Sequence, residues 1–186
     1  MPRHRIKLSD FLGRWSILRE IRDETTATRG RLEGQAVFRQ SDQWESSLTY
    51  EERGQLTMDG SPTLTAERTY LWFLGNDPNT IDILFQDGRP FHRLDLNCTM
   101  PFSSHFCSPD EYNVSYDFRS WPVWRSEWRV RGPRKDYRIW SRFRFMGDAS
   151  QVRTPCHQRL AGAEKAPTLQ PMNEGNTWRS KVPTES

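Results

Sequence analysis

Some polar side chains fall among apolar ones on the same face of a strand, and these residues have the clearest potential for chemistry. Arg68 is two residues from both Ala66 and Tyr70, so in a strand its guanidinium should share a face with these apolar neighbours. A charge in such surroundings must be paired or must bind a ligand. An ion pair with Glu52 or Asp95 is the simpler interpretation, and ligand binding is the alternative.

Two histidines lie inside the patterned part of the chain, at positions 92 and 105. Each is suited to acid–base chemistry or to ligation of haem or a metal, although a single histidine is more often structural. His105 and Cys107 lie with Asp110 in a proline-flanked segment that we expect to cap the mouth of a barrel. A Cys–His nucleophile in that segment is an alternative with weak support from spacing.

The cysteines Cys98, Cys107 and Cys156 match no zinc-binding spacing. Reduced thiols in the cytoplasm are the simplest interpretation, and a Cys98–Cys107 disulfide stays open. The sequence has no phosphate loop, dinucleotide fingerprint or nucleophile elbow. We therefore expect chemistry without a cofactor or a metal.

Most of the sequence alternates apolar and polar residues with period two, which predicts strands to position these side chains. The expected strands cover residues 15–22, 30–39, 44–53, 64–74, 81–85, 89–96, 111–118, 123–131 and 135–146. Asp87-Gly88 is the strongest hairpin signal. Residues 97–110 should be irregular and hold a short helix or a lid loop. Nine or so evenly spaced strands favour an antiparallel sandwich or up-and-down barrel.

The composition suits one domain with an aromatic core. Only 34 % of the 186 residues are hydrophobic, but the chain has 8 Trp, 10 Phe and 5 Tyr, and each such side chain buries roughly 150–250 Å². We expect an arm over residues 1–9, a barrel over 10–146 and a mostly disordered tail over 147–186. We also expect no signal peptide, no membrane span and a cytoplasmic location.

Arginines face outward in the pattern of the late strands, at positions 125, 129, 131, 138, 142 and 144. A nucleic-acid stripe is one interpretation of such a series. The formal net charge is only +3, with 27 basic and 24 acidic residues. A solvated hairpin face is therefore the preferred interpretation, and no nucleic-acid partner is expected.

The tripeptide Gly13-Arg14-Trp15 opens the first expected strand and resembles the Gly-X-Trp signature of lipocalins and the wider calycins. The resemblance implies that Trp15 closes one end of the barrel and that a late-strand arginine packs across its ring. The candidate arginines are Arg129, Arg131, Arg142 and Arg144.

The strings Phe11-Leu12-Gly13-Arg14-Trp15, Asp87-Gly88-Arg89-Pro90-Phe91-His92 and the segment 128–137 extend this resemblance over residues 10–146. They are similar to a lipocalin-like family of bacteria and fungi with unknown function. Among its fungal relatives the chain resembles hetero-Diels–Alderases that make tropolone sesquiterpenoids. The fold so implied is an antiparallel, calycin-like barrel of about eight to ten strands.

The resemblance implies a cofactor-free cyclase that joins a tropolone quinone methide to a sesquiterpene alkene. The side chains expected to polarise a carbonyl are Arg68, Tyr50, Tyr116 and His92. The side chains expected to pack the substrate are Trp72, Tyr70, Phe91, Tyr112, Trp124, Trp128 and Phe143. The alternative is a non-enzymatic carrier of a hydrophobic or haem-like molecule. We expect a monomer or homodimer.

Overall fold

Buried and exposed side chains alternate along the strands of the computed structural model, which describes residues 5–148 and 179–180. The strands are β1 Gly13–Asp23, β2 Arg29–Gln40, β3 Ser47–Met58, β4 Leu64–Leu74, β5 Thr80–Phe85, β6 Pro90–Asp95, β7 Phe102–Cys107, β8 Asp110–Asp117, β9 Trp124–Gly132, β10 Lys135–Gly147 and β11 Arg179–Ser180. A short 3-10 helix, Leu8–Phe11, precedes β1. Aromatic and branched residues on one face of each strand bury that face together.

The first ten strands form one antiparallel sheet in the order β6-β5-β4-β3-β2-β1-β10-β9-β8-β7. The sheet curls until β6 and β7 come next to each other, but no hydrogen-bonded ladder joins them. We call this break the β6–β7 seam. The two residues of β11 pair with Glu67 and Ala66 of β4. The expected antiparallel barrel of about eight to ten strands is confirmed.

One segment differs from the sequence prediction. Residues 97–110 were expected to be irregular, but residues 102–107 form β7, which pairs with β8 from Phe102↔Ser115 to Cys107↔Asp110. Pro101 and Pro109 flank this strand instead of interrupting it, so no ladder hydrogen bond is lost to proline. The loop prediction for this segment is therefore wrong.

Most of the expected tail, over 149–178 and 181–186, lies outside the described residues. Among the residues that the structure does describe, no helix is long and apolar enough to cross a membrane.

The 3-10 helix closes one end of the barrel with aromatic rings. Trp15 and Phe11 are fully buried, and the indole N–H of Trp15 donates to the Phe11 carbonyl at 2.8 Å. Phe11 packs against five further rings at centroid distances of 5.0–5.9 Å, those of Phe38, Trp72, Phe118, Trp121 and Trp124. Trp15 therefore has the expected place at the closed end.

The expected arginine across Trp15 is replaced by another aromatic ring. Phe145 is in register with Trp15 and packs on it at 5.1 Å. The four candidate arginines are on the outer face, because alternation along β9 and β10 turns Ser126 and Ser141 inward. The prediction of an arginine at this position is wrong.

Candidate functional site

The open end of the barrel has one low wall. The hairpins that join β1–β2, β3–β4, β5–β6, β7–β8 and β9–β10 all turn at this end, opposite the 3-10 helix. β5 and β6 have six residues each, whereas β4 has eleven, and the β4–β5 ladder begins only at Tyr70↔Phe85. The interior near Tyr70 is therefore closest to the outside, and we call this region the mouth.

A stack of three parallel aromatic rings crosses the mouth. The ring of Phe91 lies 5.4 Å from Tyr70 at an interplanar angle of 18°, and 5.2 Å from Trp128 at 5°. Phe91 is buried, while Tyr70 and Trp128 are half-buried. Phe85 and His105 pack around Phe91 at 4.5 and 5.4 Å. Three strands that are distant in sequence thus bring planar groups to one place.

A β-bulge turns Phe91 into this stack. Ile83 pairs with His92 and Leu84 pairs with Pro90, so Phe91 is an extra residue between two paired positions. Strict alternation would place Phe91 and His92 on opposite faces of β6. The bulge instead lets both rings face inward, where their centroids are 4.6 Å apart.

A buried ion pair lies next to the stack. Arg19 donates from Nη2 to Glu52 Oε2 at 2.8 Å and from Nε to the Ser141 hydroxyl at 2.7 Å. Both charged side chains are almost fully buried, at 4 % and 1 % exposure. They reach each other diagonally across β2, past the small residues Gly34 and Ala36.

Two more groups complete this network. The hydroxyl of Tyr50 donates to Glu52 at 2.5 Å, and Arg68 Nε lies 3.8 Å from Oε1 of the same carboxylate. The expected ion pair between Arg68 and Glu52 is therefore present. The Arg68 guanidinium lies 5.9 Å from the Tyr70 ring centre, so this side chain links the network to the mouth.

Burial and charge act against each other in the network. Burial alone raises the pKa of Glu52, but the charges of Arg19 and Arg68 and the hydrogen bonds outweigh it and hold this pKa at about 2. Burial also disfavours the charged form of Arg19, yet attraction to Glu52 raises the Arg19 pKa above its ordinary value. Burial and the nearby carboxylate raise the pKa of Tyr50. The pair is thus ionised and the phenol neutral at physiological pH.

His92 and Tyr116 form a second polar unit beside the stack. The Tyr116 hydroxyl and His92 Nε2 are hydrogen-bonded at 2.7 Å. Burial, with a smaller contribution from His105, lowers the pKa of His92 to about 3, and burial raises the pKa of Tyr116. Both groups are therefore neutral at physiological pH.

The structure separates the predicted site residues into three groups. The mouth collects Arg68, Tyr70, Phe91, His92, Tyr116 and Trp128, with Tyr112 at its rim. Tyr50 belongs to the ion-pair network, and the remaining three residues, Trp72, Trp124 and Phe143, are 4 %, 2 % and 3 % exposed and pack in the core. The sequence prediction missed Arg19 and Phe85. The signal for Arg19 was present, since it shares a face with Trp15 and Ile17.

The thiols lie outside this polar network. Cys98 and Cys107 are both free, so the disulfide left open by the sequence does not form. His105 and Cys107 share one face of β7, and the imidazole of His105 packs 6.2 Å from Tyr112. Within the described ranges, no cluster of three potential metal ligands occurs.

A separate groove of about 370 Å³ lies on the outer face of β1, β10, β9 and β8. Its walls include Trp140, Leu18, Arg125, Arg142 and Glu127. Carboxylates surround the outward arginines elsewhere on this face, as in the pair Arg129–Asp136 at 2.6 Å. This mixed charge matches a solvated face, whereas the mouth combines planar rings with inward polar groups.

Comparison with known proteins places the chain in a family. The model of the family of unknown function DUF6314 matches residues 11–145. This chain belongs to the DUF6314 family. No curated protein matches it.

A solved structure supports the fold of this DUF6314 protein. The S-type phycobiliprotein lyase CPES from Guillardia theta aligns with a TM-score of 0.58 over 77 % of this chain and 95 % of the lyase. The two sequences are 9 % identical, so the likeness concerns the barrel fold alone.

Proposed function

We propose that this DUF6314 barrel binds a planar, conjugated, largely apolar small molecule at its mouth. The observation that carries the proposal is the parallel stack of Tyr70, Phe91 and Trp128 under the low wall. Aromatic faces with both polar and apolar surroundings are typical of ligand sites in barrels of this size.

The stack favours a planar ligand because the ring of Phe91 occupies the position that a ligand ring would take. Its ring lies between two others at 5.2–5.4 Å, whereas the core pair Trp124 and Phe143 stacks at 3.6 Å. Phe91 comes from a bulge next to the β6–β7 seam, where the backbone has fewer ladder hydrogen bonds to hold it. A ligand ring would displace Phe91 and stack on Trp128.

The likeness to a phycobiliprotein lyase supports a ligand with an extended conjugated system, such as a bilin-like molecule, since the same barrel shape serves that protein. Carriage of such a molecule requires the aromatic mouth and no reaction. The carrier is therefore the simplest form of the proposal.

A matched pair of probes tests this proposal by isothermal titration. Fluorene is flat and conjugated, and perhydrofluorene has the same carbon skeleton without flat rings. Fluorene should bind at least about tenfold more tightly, a difference of ~1.4 kcal/mol. Trp128→Ala should abolish this preference, while Trp140→Ala in the outer groove should leave it unchanged. Equal binding of both probes, or loss of binding in Trp140→Ala alone, would reject the mouth as the site.

The second candidate is the cyclisation that the resemblance implies, and the polar groups beside the stack favour it. In a hetero-Diels–Alder addition, the C=C–C=O unit of a tropolone quinone methide forms one C–C and one C–O bond with the sesquiterpene alkene, and no atom leaves. A barrel that holds both partners in register supplies up to roughly 7–11 kcal/mol. Arg68 or His92 would polarise the carbonyl.

This candidate is tested by product formation with both reactants at a fixed concentration. A cyclase gives adduct faster than the protein-free mixture and with one stereochemistry. An unchanged rate and a racemic adduct would reject catalysis and leave the carrier.

A further inference from the structure

One buried nitrogen in the mouth has no partner. Nδ1 of His92 is inaccessible to solvent and makes no hydrogen bond within the part of the chain that the structure describes. Leaving a buried polar atom unsatisfied destabilises the fold. Each such atom in a native structure therefore needs an explanation, and a ligand that supplies the missing bond is one.

The partner of the other nitrogen decides which proton His92 carries. The hydrogen bond to His92 Nε2 at 2.7 Å is the one described contact of the buried Tyr116 hydroxyl. If Nε2 carried the proton, the Tyr116 O–H would have no acceptor and Nδ1 would also stay unsatisfied. If Tyr116 donates to Nε2, only the N–H at Nδ1 lacks a partner. The second arrangement leaves one fewer orphaned group, so Nδ1 carries the proton.

The imidazole that carries this N–H packs directly against the ligand site. The His92 ring stands at 86° to Phe91 and 89° to Trp128, with centroids 4.6 and 5.1 Å away. Those two rings are parallel to each other. The imidazole thus lies beside both rings, where it would contact a ring packed on Trp128.

We propose that the ligand of this barrel is a conjugated carbonyl compound whose oxygen accepts the Nδ1–H bond of His92, with Tyr116 as the positioning residue. This proposal rests on the aromatic mouth as the binding site. It specifies the ligand class, because a neutral N–H donor matches a carbonyl acceptor at the edge of a planar molecule.

The surroundings keep His92 in this role over a wide pH range. Burial holds its pKa far below physiological pH, so the ring donates as neutral imidazole instead of imidazolium. Arg68 and Glu52 lie on β4 and β3, and Arg68 faces Tyr116 from across the barrel, so the charges packed around this unit are themselves paired. A neutral donor in a dry site still polarises a carbonyl.

The test compares 9-fluorenone with fluorene, which has the same rings and a CH2 group in place of the carbonyl. Fluorenone should bind the full chain about 3–10-fold more tightly, as expected for one net hydrogen bond. Its C=O stretching band should move to lower frequency on binding, which stacking alone would not cause.

Tyr116→Phe keeps the ring but frees His92 to change tautomer. Fluorenone should then lose its advantage and its band shift, while fluorene affinity stays the same. Tyr137→Phe on β10 is the matched control and should change neither. In wild-type protein without a probe, ¹⁵N NMR should find the His92 proton on Nδ1, a readout that does not depend on binding.

The outcomes separate the two proposals. If fluorene and fluorenone bind equally and Tyr116→Phe has no effect, the mouth stands and the carbonyl donor is rejected. A proton on Nε2 in the NMR spectrum would also reject the donor. If neither probe binds, the aromatic mouth itself is rejected.

Discussion

The two ends of this barrel use aromatic rings in opposite ways. At the closed end Trp124 and Phe143 stack in parallel at 3.6 Å and are almost fully buried. At the mouth Phe91 and Trp128 are equally parallel but 5.2 Å apart, and Trp128 is half-buried. A centroid distance of 5.2 Å is ordinary for offset-stacked rings, so the partial exposure of Trp128 is what distinguishes the mouth. The closed end is therefore packed as core, whereas the mouth is where our proposal has one ring exchange for another.

The largest expected effect is a loss of stability from a substitution at the closed end. Trp124→Ala should lower the free energy of unfolding by about 3–5 kcal/mol, because a large buried ring leaves a cavity. Trp128→Ala should cost roughly half as much, since its ring is partly solvated already. Urea unfolding of both variants measures the difference. Equal losses would mean that the mouth is packed as firmly as the closed end.

Glu52→Gln should come next, at about 3 kcal/mol, because it leaves Arg19 buried without a carboxylate. The pKa of Glu52 is about 2 in the folded chain and near 4.5 in the unfolded one, so its contribution is full above pH 4.5 and is lost as pH falls towards 2. Urea unfolding between pH 2 and 7 should show a larger loss in wild type than in the variant, because carboxylates such as Asp117 still titrate in both. The exposed Glu33→Gln serves as the control, and the same pH profile in Glu52→Gln would contradict the buried pair.

His92 should give a pH effect of the same sign that begins at a higher pH. Its pKa is lowered to about 3 from an ordinary 6.5, so protonation favours the unfolded chain. Stability is therefore full above pH 6.5 and falls, by up to ~1.4 kcal/mol per pH unit, as pH drops towards 3. His92→Phe should remove this slope between pH 6.5 and 4.5, where Glu52 does not titrate. A retained slope would place its origin elsewhere.

Phe91→Ala should sharpen the contrast by emptying the mouth. Fluorene no longer has to displace a ring, and apolar cavities of ring size bind aromatic molecules. We expect fluorene to bind at least about threefold more tightly, a gain of ~0.6 kcal/mol. Phe143→Ala, which leaves a cavity at the closed end, is the comparison. Its loss of unfolding free energy should exceed any gain in the free energy of fluorene binding. Weaker fluorene binding in Phe91→Ala would show that Phe91 holds the ligand instead of standing in its place.

The smallest effect is expected on the outer face. The pair Arg31–Glu33 is 62 % and 63 % exposed, and such pairs contribute less than ~1 kcal/mol. Arg31→Ala should change the unfolding free energy by less than about 0.5 kcal/mol. A larger change would mean that arginines on the outer face also stabilise the barrel, which the comparison of the two ends does not consider.

Period-two alternation predicted most of the strands and the inward place of Arg68, Tyr70 and Trp128, because a single strand carries that information. It failed at Phe91 and His92, since a bulge depends on the partner strand and adds no mark to the sequence. Arg19 escaped notice for a related reason. Its partner Glu52 is 33 residues away, on a strand that does not adjoin β1.

The resemblance through Gly13-Arg14-Trp15 predicted the position of Trp15 at the closed end but not the residue that covers its ring. Trp15 does close the barrel, yet Phe145 covers it where an arginine was expected. Phe145 alternates with Arg144 and could be assigned to either face until the β1–β10 register was known.

The β6–β7 seam has a mechanical consequence. A barrel closed by ladders on all sides has a circumference set by its number of strands. Here the two edge strands, β6 and β7, touch without a ladder, so the sheet is a rolled ribbon with two unpaired edges. Separating these edges would widen the mouth without breaking a ladder between paired strands. A family that shares this seam could therefore accept molecules of different widths while keeping the same closed end.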